Sequence, residues 1–271
     1  MKTELNAKVV GKIEFAPGNF AIKIAPIGRT LPDFIPGQYG VLGLPYSAPR
    51  SVFSDPEEPP ADPDKMIRRA YSVASSSMSK EYVEFYISLV RSGALTPRLH
   101  NLNVGDLVWL GPKFTGLMTL ESVPEDANVI LIATGTGLAP YMSMIRTLVT
   151  KGSFDRHYAV IHGAKHSWDL GYRSELETLS RISKQFKYYP VVSDHESEPV
   201  PWNGAKGFIE DFWKSGELAN EWSKKPAPED THIFLCGNPL MIESSIKFLG
   251  AEGFKEDTKT QKGEIHLERF W

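Results

Sequence analysis

The chain is poor in cysteine, since Cys236 is the only one among its 271 residues. A lone cysteine forms no internal disulfide, which is typical of proteins from a reducing compartment. It also excludes an iron–sulfur cluster of the chain's own, because such clusters are held by several thiolates. No other set of residues suggests a metal site, and we expect none.

The sequence also lacks a strong charge excess and long apolar runs. The formal net charge is -3, which gives no support for nucleic-acid binding. The N-terminal segment has no uninterrupted apolar run of the signal-peptide kind, and no stretch approaches the roughly 18 apolar residues of a membrane helix. With 41% hydrophobic and 23% charged residues, we expect a cytoplasmic globular protein of two domains.

The first half of the chain is typical of a β-structure. Up to about residue 122, short runs rich in β-branched and aromatic residues are broken by Gly and Pro, which predicts an antiparallel barrel or sandwich. The strand candidates are residues 7–15, 20–25, 66–75, 82–90 and 106–110. A short helix is expected at residues 96–102, with Pro97 in its first turn. Residues 45–65 combine prolines with acidic residues and show no periodicity, which predicts a solvated loop.

From about residue 123 onwards, buried strands alternate with amphipathic helices. The strand candidates are residues 128–134, 157–163, 188–193 and 232–237. The helices are expected at residues 138–149 and near 173–184, 208–218 and 239–249. This alternation predicts a doubly wound parallel sheet with helices on both faces. The predicted architecture is therefore an antiparallel β-barrel domain, 1–122, followed by a doubly wound α/β domain, 123–271, with ligands at the carboxyl ends of its strands.

Strand ends in the second half carry clusters that suit a nucleotide. The first is GTG at 135–137, where glycines after a buried strand let the backbone approach a phosphate. Because Pro140 stands in place of the third glycine of a dinucleotide fingerprint, we expect a different turn close to a phosphate. The second cluster is CGNP at 236–239. The alternatives are a turn without a ligand for the first, and a buried cysteine before an Asn–Pro helix start for the second.

Three further motifs suit a flat, phosphorylated ligand. RAYS at 69–72 places an arginine near a ring and a hydroxyl on a strand, although an ordinary amphipathic strand reads the same way. GALTP at 93–97 is a glycine turn that leads into a helix N-terminus, a favourable place for a pyrophosphate. The chain ends on Phe270 and Trp271, which suggests that these rings pack against protein or against another flat ring system.

Together with VIHGAK at 160–165, these motifs resemble the bacterial ferredoxin/flavodoxin–NADP+ reductases, in the right order and over nearly the whole chain. The resemblance implies an FAD-binding barrel, an NADP-binding α/β domain, and electron exchange with a ferredoxin or flavodoxin. It implies FAD contacts for the following residues of the first half: Arg69, Ala70, Tyr71, Ser72, Tyr86, Ile87, Ser88, Leu89, Gly93, Ala94, Leu95 and Thr96. It also implies that Thr136 reaches the flavin from the second domain and that Phe270 and Trp271 cover the ring.

For the nicotinamide nucleotide, the resemblance implies contacts from Gly135, Gly137, Pro140, Ala164, Lys165, Ser193, Asp194, Lys206, Gly237, Asn238 and Pro239. Catalytic roles fall to Ser72 and Cys236, which border the meeting point of nicotinamide and flavin, and to Trp271, which covers it. Hydride transfer between two parallel rings is mainly a matter of orientation, so no acid–base pair is required.

The chain departs from the family around the nucleotide 2′-phosphate. Relatives place basic residues there, whereas this chain has Lys165, then Asp194, and then either Phe208 or Lys206 according to the alignment. An acid suits a free 2′-hydroxyl rather than a phosphate. His195 and Arg173 are further candidates for positive charge in this region. The resemblance favours NADPH, and the departures leave NADH open.

Other functions remain open at this point. The same fold can serve free flavin, a quinone or an oxygenase component as the electron acceptor. A subunit with its own iron–sulfur cluster is excluded by the cysteine count. A non-enzymatic module would require loss of the flavin site. We expect a monomeric enzyme without membrane or nucleic-acid partners.

Overall fold

The computed structural model describes residues 4–59, 62–152 and 154–268. The chain divides into two compact units. The barrel unit is Met1–Thr119 with Ala139–Thr150, and the sheet unit is Leu120–Leu138 with Lys151–Trp271. The assignment of residues 1–122 to an FAD domain and 123–271 to a nucleotide domain stays a prediction.

The barrel unit contains one six-stranded sheet with the order β4-β3-β6-β1-β2-β5. Its strands are β1 Ala7–Ala16, β2 Asn19–Pro26, β3 Tyr39–Pro45, β4 Met66–Ser72, β5 Val83–Ser88 and β6 Leu107–Leu110. All neighbouring strands are antiparallel. An isolated antiparallel bridge between Val73 and Phe85 joins the chain after β4 to the opposite edge strand β5. The sheet therefore closes on itself, and the predicted antiparallel barrel is confirmed.

The strand period of two explains how the barrel fills. Phe20, Ile22 and Ile24 alternate along β2 and are fully buried, because successive side chains of a strand point to opposite faces. They join a core that the short helix α1, Thr96–Asn101, completes with Leu99. Strand β3 was not predicted, since YGVLGLP contains residues that are rare in strands.

Helix α2, Ala139–Lys151, is anchored to the barrel through its residues 139–150. The Arg146 guanidinium donates from Nη1 to Glu84 Oε1 at 2.6 Å and to the Ala74 carbonyl at 2.9 Å. Thr147 Oγ1 accepts the Ser77 N–H at 3.0 Å. Glu84 is buried, and a second cation, Lys23, lies 3.8 Å from its Oε2. A buried carboxylate thus fixes this helix, and its charge is compensated by the arginine.

The sheet unit contains a six-stranded parallel sheet with the order β10-β9-β8-β7-β11-β12. Its strands are β7 Asn128–Thr134, β8 Tyr158–Ala164, β9 Phe186–Val192, β10 Ala205–Lys206, β11 Thr231–Cys236 and β12 Ile265–Leu267. Its helices are α3 Arg173–Ile182, α4 Ile209–Ser215, α5 Glu217–Glu221 and α6 Pro239–Ala251. The strand order reverses between β7 and β11, which makes the carboxyl ends of these two strands the expected ligand crevice.

The apolar runs predicted for these strands form the core of the sheet unit. Ile130, Ile233 and Leu235 are fully buried and cluster with Phe212 of α4 and Ile242 of α6. The predicted doubly wound sheet is confirmed as a fold. The helix expected near 208–218 is instead two helices, α4 and α5.

The break between α4 and α5 falls at Gly216, which has φ 74°. A left-handed glycine is a common helix end. Across the described ranges, no helix combines the length and the apolar character needed to cross a bilayer.

We predict that Glu84→Gln destabilises the protein by about 2–4 kcal/mol, because it leaves the Arg146 guanidinium without its buried counter-charge. Urea unfolding followed by circular dichroism measures the change. The matched control is Asp33→Asn, which removes an exposed carboxylate paired with Lys80 and should leave the midpoint unchanged. A loss below about 0.5 kcal/mol for Glu84→Gln would show that this carboxylate does not anchor α2.

Candidate functional site

In the barrel unit, the predicted RAYS motif forms the end of β4. Arg69 is exposed and Tyr71 is half-buried, and the two lie on the same face because they are two residues apart on a strand. The Tyr71 ring packs against the barrel core. Burial raises the pKa of the Tyr71 phenol well above its ordinary value, against the opposing effect of the nearby Arg69 charge. The motif therefore presents a neutral aromatic ring beside an exposed guanidinium that donates to the Arg68 carbonyl at 2.8 Å.

The turn that follows β5 offers unsatisfied backbone donors. Gly93 N–H donates to the Val90 carbonyl at 2.8 Å, and Thr96 Oγ1 accepts the Val90 N–H at 3.0 Å. These bonds fix the turn immediately before α1. Among the residues that the structure describes, no acceptor contacts the amide N–H groups of Ala94, Leu95 or Thr96. Adjacent free N–H groups at a helix start are the donors that bind a pyrophosphate.

An ion-pair network holds this turn from the protein side. Arg50 Nη1 donates to the Gly93 carbonyl at 3.0 Å and lies 3.1 Å from Glu57 Oε1. Glu57 Oε2 accepts from Arg98 Nη2 at 2.6 Å, and this hydrogen bond holds the pKa of the Glu57 carboxyl below its usual range. Arg98 is buried and also donates to the Ala94 carbonyl at 2.6 Å. Two arginines thus hold the turn of residues 93–96 by donating to the carbonyls of Gly93 and Ala94.

The sequence pattern gives no sign of this network. A solvated loop is predicted for residues 45–65; Val52 and Phe53 are exposed as that predicts, but Arg50 and Ser51 are not. Arg50 keeps only 15% of its side chain exposed, and Ser51 is buried. These two positions have no regular secondary structure, and both Arg50 and Arg98 pair with Glu57. An acidic, proline-rich composition gives no signal for such a partnership.

The other predicted FAD residues differ in what they expose. The side chains of Tyr86, Ile87 and Leu95 are buried, so only their backbone can meet a ligand. Ser88 Oγ donates to Asn19 Oδ1 at 2.6 Å, which occupies that hydroxyl within the barrel.

Of the remaining predicted FAD residues, Ala70 is exposed on β4, whereas Ser72, Leu89 and Ala94 are half-buried. Thr136 is half-buried in the turn after β7, and its predicted contact with FAD stays a prediction. Phe270 and Trp271 lie outside the described residues.

In the sheet unit, the turns after β7 and β11 meet at backbone distance. A Cβ on Gly137 would lie 2.2 Å from the Cys236 carbonyl oxygen. Gly237 has φ 136°, and a Cβ there would lie 2.3 Å from Thr134 Oγ1. The same Thr134 hydroxyl oxygen accepts the Asn238 N–H at 2.8 Å. The predicted GTG and CGNP motifs are therefore brought together, and only glycine permits this approach.

The outer side of this junction is open. The space that a Cβ on Gly135 would occupy has no atom within 4 Å. Pro140 is the second residue of α2, where its missing N–H costs no helical hydrogen bond. Asn238 Oδ1 accepts the Leu240 N–H at 2.8 Å and caps α6, with Pro239 as its first residue. The open glycine turn beside a capped helix start can accept a phosphate.

Cys236 is buried at the end of β11. Burial raises the pKa of its thiol to about 12, and the negative charge of Glu268 acts in the same direction. The thiol is therefore protonated at physiological pH. It can position a ligand by contact, but it is not a nucleophile.

The remaining predicted nucleotide residues follow the next strands. Ala164 and Lys165 lie at the end of β8, Ser193 and Asp194 follow β9, and Lys206 is exposed on β10. The Arg173 guanidinium stacks on Trp202 at 4.7 Å and pairs with Glu177 at 2.7 Å. The Arg173 guanidinium is therefore already in contact with protein side chains. His195 begins a short 3-10 turn.

Comparison with known proteins finds a matching family profile and similar reductases. The profile of the family described as "Oxidoreductase NAD-binding domain" matches residues 131–247. The flavodoxin/ferredoxin–NADP reductase of Buchnera aphidicola subsp. Baizongia pistaciae (strain Bp) is 28% identical over 273 residues, covering 100% of both chains. Ferredoxin–NADP reductase A of Sorangium cellulosum (strain So ce56) is 30% identical over 215 residues, which covers 76% of this chain and 74% of that protein.

A solved structure shares the fold as well. It is a ferredoxin NADP+ reductase from Neisseria gonorrhoeae with bound FAD and NADP, with a TM-score of 0.78 and 23% sequence identity. The match covers 97% of each chain. The chain therefore shares the fold of that structure, with an antiparallel barrel and a parallel sheet.

We predict that Cys236 is inert toward Ellman's reagent at about pH 8 in the folded protein and reacts fully after unfolding in guanidinium chloride. A buried thiol with a raised pKa holds almost no thiolate at that pH. Because the chain has no other cysteine, the signal reports this residue alone, and Cys236→Ser provides the blank. If the folded protein reacted as fast as an ordinary thiol, whose pKa is about 8.5, Cys236 would not be buried as described.

Proposed function

The chain belongs to the ferredoxin/flavodoxin–NADP reductase family, and on this premise we propose that it is an FAD-dependent oxidoreductase. It exchanges electrons reversibly between NADP(H) and a one-electron carrier protein, a ferredoxin or a flavodoxin. The observation that carries the proposal is the turn of residues 93–96, whose free amides lie on the same barrel as Arg69 and Tyr71.

The residues of the barrel unit fit FAD. The N–H groups of Ala94, Leu95 and Thr96 are free to bind a pyrophosphate, and Arg69 supplies an exposed guanidinium for the same group. The Tyr71 ring offers a neutral surface for a flat ring system. The chemistry that FAD supplies when bound is acceptance of a hydride and release of its electrons one at a time. The protein's part is to bind, orient and exclude water.

The residues of the sheet unit fit the nicotinamide nucleotide. The open space beside Gly135 allows the backbone to approach a pyrophosphate. The junction of Gly137 with the Cys236 carbonyl leaves no room for side chains in that part of the crevice. The protonated Cys236 thiol borders the crevice without adding charge. Such a site orients a nicotinamide by shape, which is what hydride transfer requires.

We also propose that the protein acts in the cytoplasm as a monomer and that its carrier is a ferredoxin or a flavodoxin. The single cysteine and the absence of a membrane-spanning helix in residues 4–59, 62–152 and 154–268 are compatible with this location. The monomeric state can be checked through the mass of the holoenzyme in solution.

The experiment is reduction of a bacterial ferredoxin by the purified holoenzyme with NADPH, coupled to cytochrome c. We expect a yellow protein with flavin absorbance, and ferredoxin-dependent cytochrome c reduction well above the rate with free FMN. The alternative functions predict other results. A rate that is higher with FMN or a quinone and independent of ferredoxin would replace the carrier-protein assignment. A colourless protein that takes up no FAD would reject the proposal.

Two neighbouring arginines provide a matched pair of variants for the cofactor site. Arg69→Ala should weaken FAD binding to the apoprotein by about tenfold to a hundredfold, because a charge-assisted contact is lost. Arg68→Ala should leave FAD affinity unchanged, since Arg68 instead stacks on Trp109, with its guanidinium carbon 4.4 Å from the ring centroid. Quenching of flavin fluorescence measures both. Equal losses in the two variants would place the pyrophosphate elsewhere.

A further inference from the structure

The carboxyl ends of β8 and β9 are tied together through their backbones. Ser193 N–H donates to the Ala164 carbonyl at 3.0 Å, and Asp194 N–H donates to the Lys165 carbonyl at 2.9 Å. These bonds bring the side chains of Lys165 and Asp194 to the same edge. Their Nζ and Oδ2 atoms are 3.7 Å apart. The two groups that would face an adenosine ribose are therefore already paired with each other.

The environment of Asp194 keeps its carboxylate ionised and its oxygens accessible. Ser197 Oγ donates to Asp194 Oδ1 at 2.8 Å, and His166 Nε2 lies 3.3 Å from Oδ2. The hydrogen bond from Ser197, followed by the charge of Lys165, holds the pKa of the Asp194 carboxyl below its usual range. The Asp194 side chain remains 35% exposed. An incoming ligand therefore meets a fixed negative charge that can accept hydrogen bonds.

Other carboxylates strengthen the negative character of this edge. Asp169 lies 3.3 Å from the second ring nitrogen of His166, and Glu198 accepts both the N–H and the hydroxyl of Ser167 at 2.7 Å. Lys165 pairs with Asp194, and the charge of Arg173 acts on Glu198. A dianionic phosphate placed beside Asp194 would be repelled by that carboxylate, whereas a ribose hydroxyl would find an acceptor.

The third strand end contributes an exposed cation, Lys206, and an exposed ring, Phe208. Phe208 is 73% exposed, and it follows Gly207, whose N–H donates to the Val192 carbonyl at 3.0 Å. Phe208 thus lies beside the β9 end that carries Asp194. A flat apolar ring suits an adenine base and cannot provide the guanidinium fork that binds phosphate.

We propose that Asp194 is a specificity-determining residue that acts against the 2′-phosphate, so that this reductase accepts NADH as well as NADPH. This inference rests on the proposed function for the identity of the substrate class. The carboxylate accepts hydrogen bonds from the ribose hydroxyls of the nucleotide that lacks the phosphate. In the phosphorylated nucleotide, the same carboxylate competes with the phosphate for Lys165.

The test compares Asp194→Ser with the wild-type holoenzyme. The ratio of kcat/KM for NADPH to kcat/KM for NADH, with ferricyanide as acceptor, should rise about tenfold in the variant. The change should lie mainly in KM, because the residue contacts the adenosine end and not the reacting atoms. A rise of less than about threefold would overturn the proposal, and so would a wild-type ratio above about a hundredfold in favour of NADPH.

A binding readout keeps the test independent of turnover. Isothermal titration calorimetry of the FAD-loaded protein measures the affinities of 2′,5′-ADP and 5′-AMP. The ratio of the affinity for 2′,5′-ADP to that for 5′-AMP should rise on Asp194→Ser, as the kinetic ratio does. If neither NADPH nor NADH reduced the flavin, the proposed function would fail, while these affinities would still decide the role of Asp194. An unchanged ratio of the two affinities would reject it.

The matched control is Glu196→Gln, which removes one negative charge from the same short turn, His195–Ser197. Glu196 is exposed, and its charge is screened by solvent and salt. This variant should keep both the kinetic and the binding ratios of the wild-type protein. An equal shift in Glu196→Gln would mean that the general field of the edge, and not Asp194, sets the preference.

Discussion

The close approach of two backbone segments at the carboxyl ends of β7 and β11 is the constraint on which the sheet unit's site depends. Gly137 lies against the Cys236 carbonyl, and Gly237 lies against Thr134. A methyl group at either glycine would overlap backbone or hydroxyl atoms. The Thr134 hydroxyl completes the junction by accepting the Asn238 N–H. Because the strand order reverses at this point, the junction shapes the crevice in which a parallel sheet of this kind binds its ligand.

In the barrel unit, charged side chains hold the turn of residues 93–96. The amide N–H groups of this turn are left unsatisfied, which costs stability unless other contacts support the turn. Arg50 and Arg98 provide that support by donating to the carbonyls of Gly93 and Ala94, and Glu57 compensates both charges. The carbonyls are thus satisfied by protein, while the donors remain available for an anion. An internal ion-pair network thus holds the turn that we propose to bind the pyrophosphate.

Much of the fold could be predicted from local patterns. Two strands are indicated directly by their local hydrophobic pattern. In β2 the apolar residues Phe20, Ile22 and Ile24 alternate, and in β7 residues 128–134 form a continuous apolar run. Strand β3 escaped prediction, since two glycines and a proline hide its pattern. The short strands β10 and β12 escaped as well, because too few residues carry a period. The division of α4 from α5 depends on the backbone conformation of Gly216.

Sequence motifs indicate candidate site residues where these residues are contiguous, and their ligand contacts stay predictions. The pattern of a strand points to Arg69 and Tyr71, and a place after a strand points to the turn at 93–96 and to the glycines of both strand ends. Arg50, Glu57 and Arg98 were not, because their partnership spans long sequence separations. The sequence pointed to Asp194 as an anomaly. The ion pair of Asp194 with Lys165 and its contact with His166 depend on the register of β8 and β9, which the sequence alone does not show.

The most direct test of the account is hydrogen–deuterium exchange of the FAD-loaded protein with and without NADP+, because binding protects the backbone that it covers. The account predicts slower exchange in peptides that span residues 134–140, 193–195 and 236–240, and unchanged exchange in a peptide that spans α4 and α5. Protection confined to other parts of the chain, with the ends of β7 and β11 unaffected, would contradict the placement of the nucleotide at the switch point of the sheet.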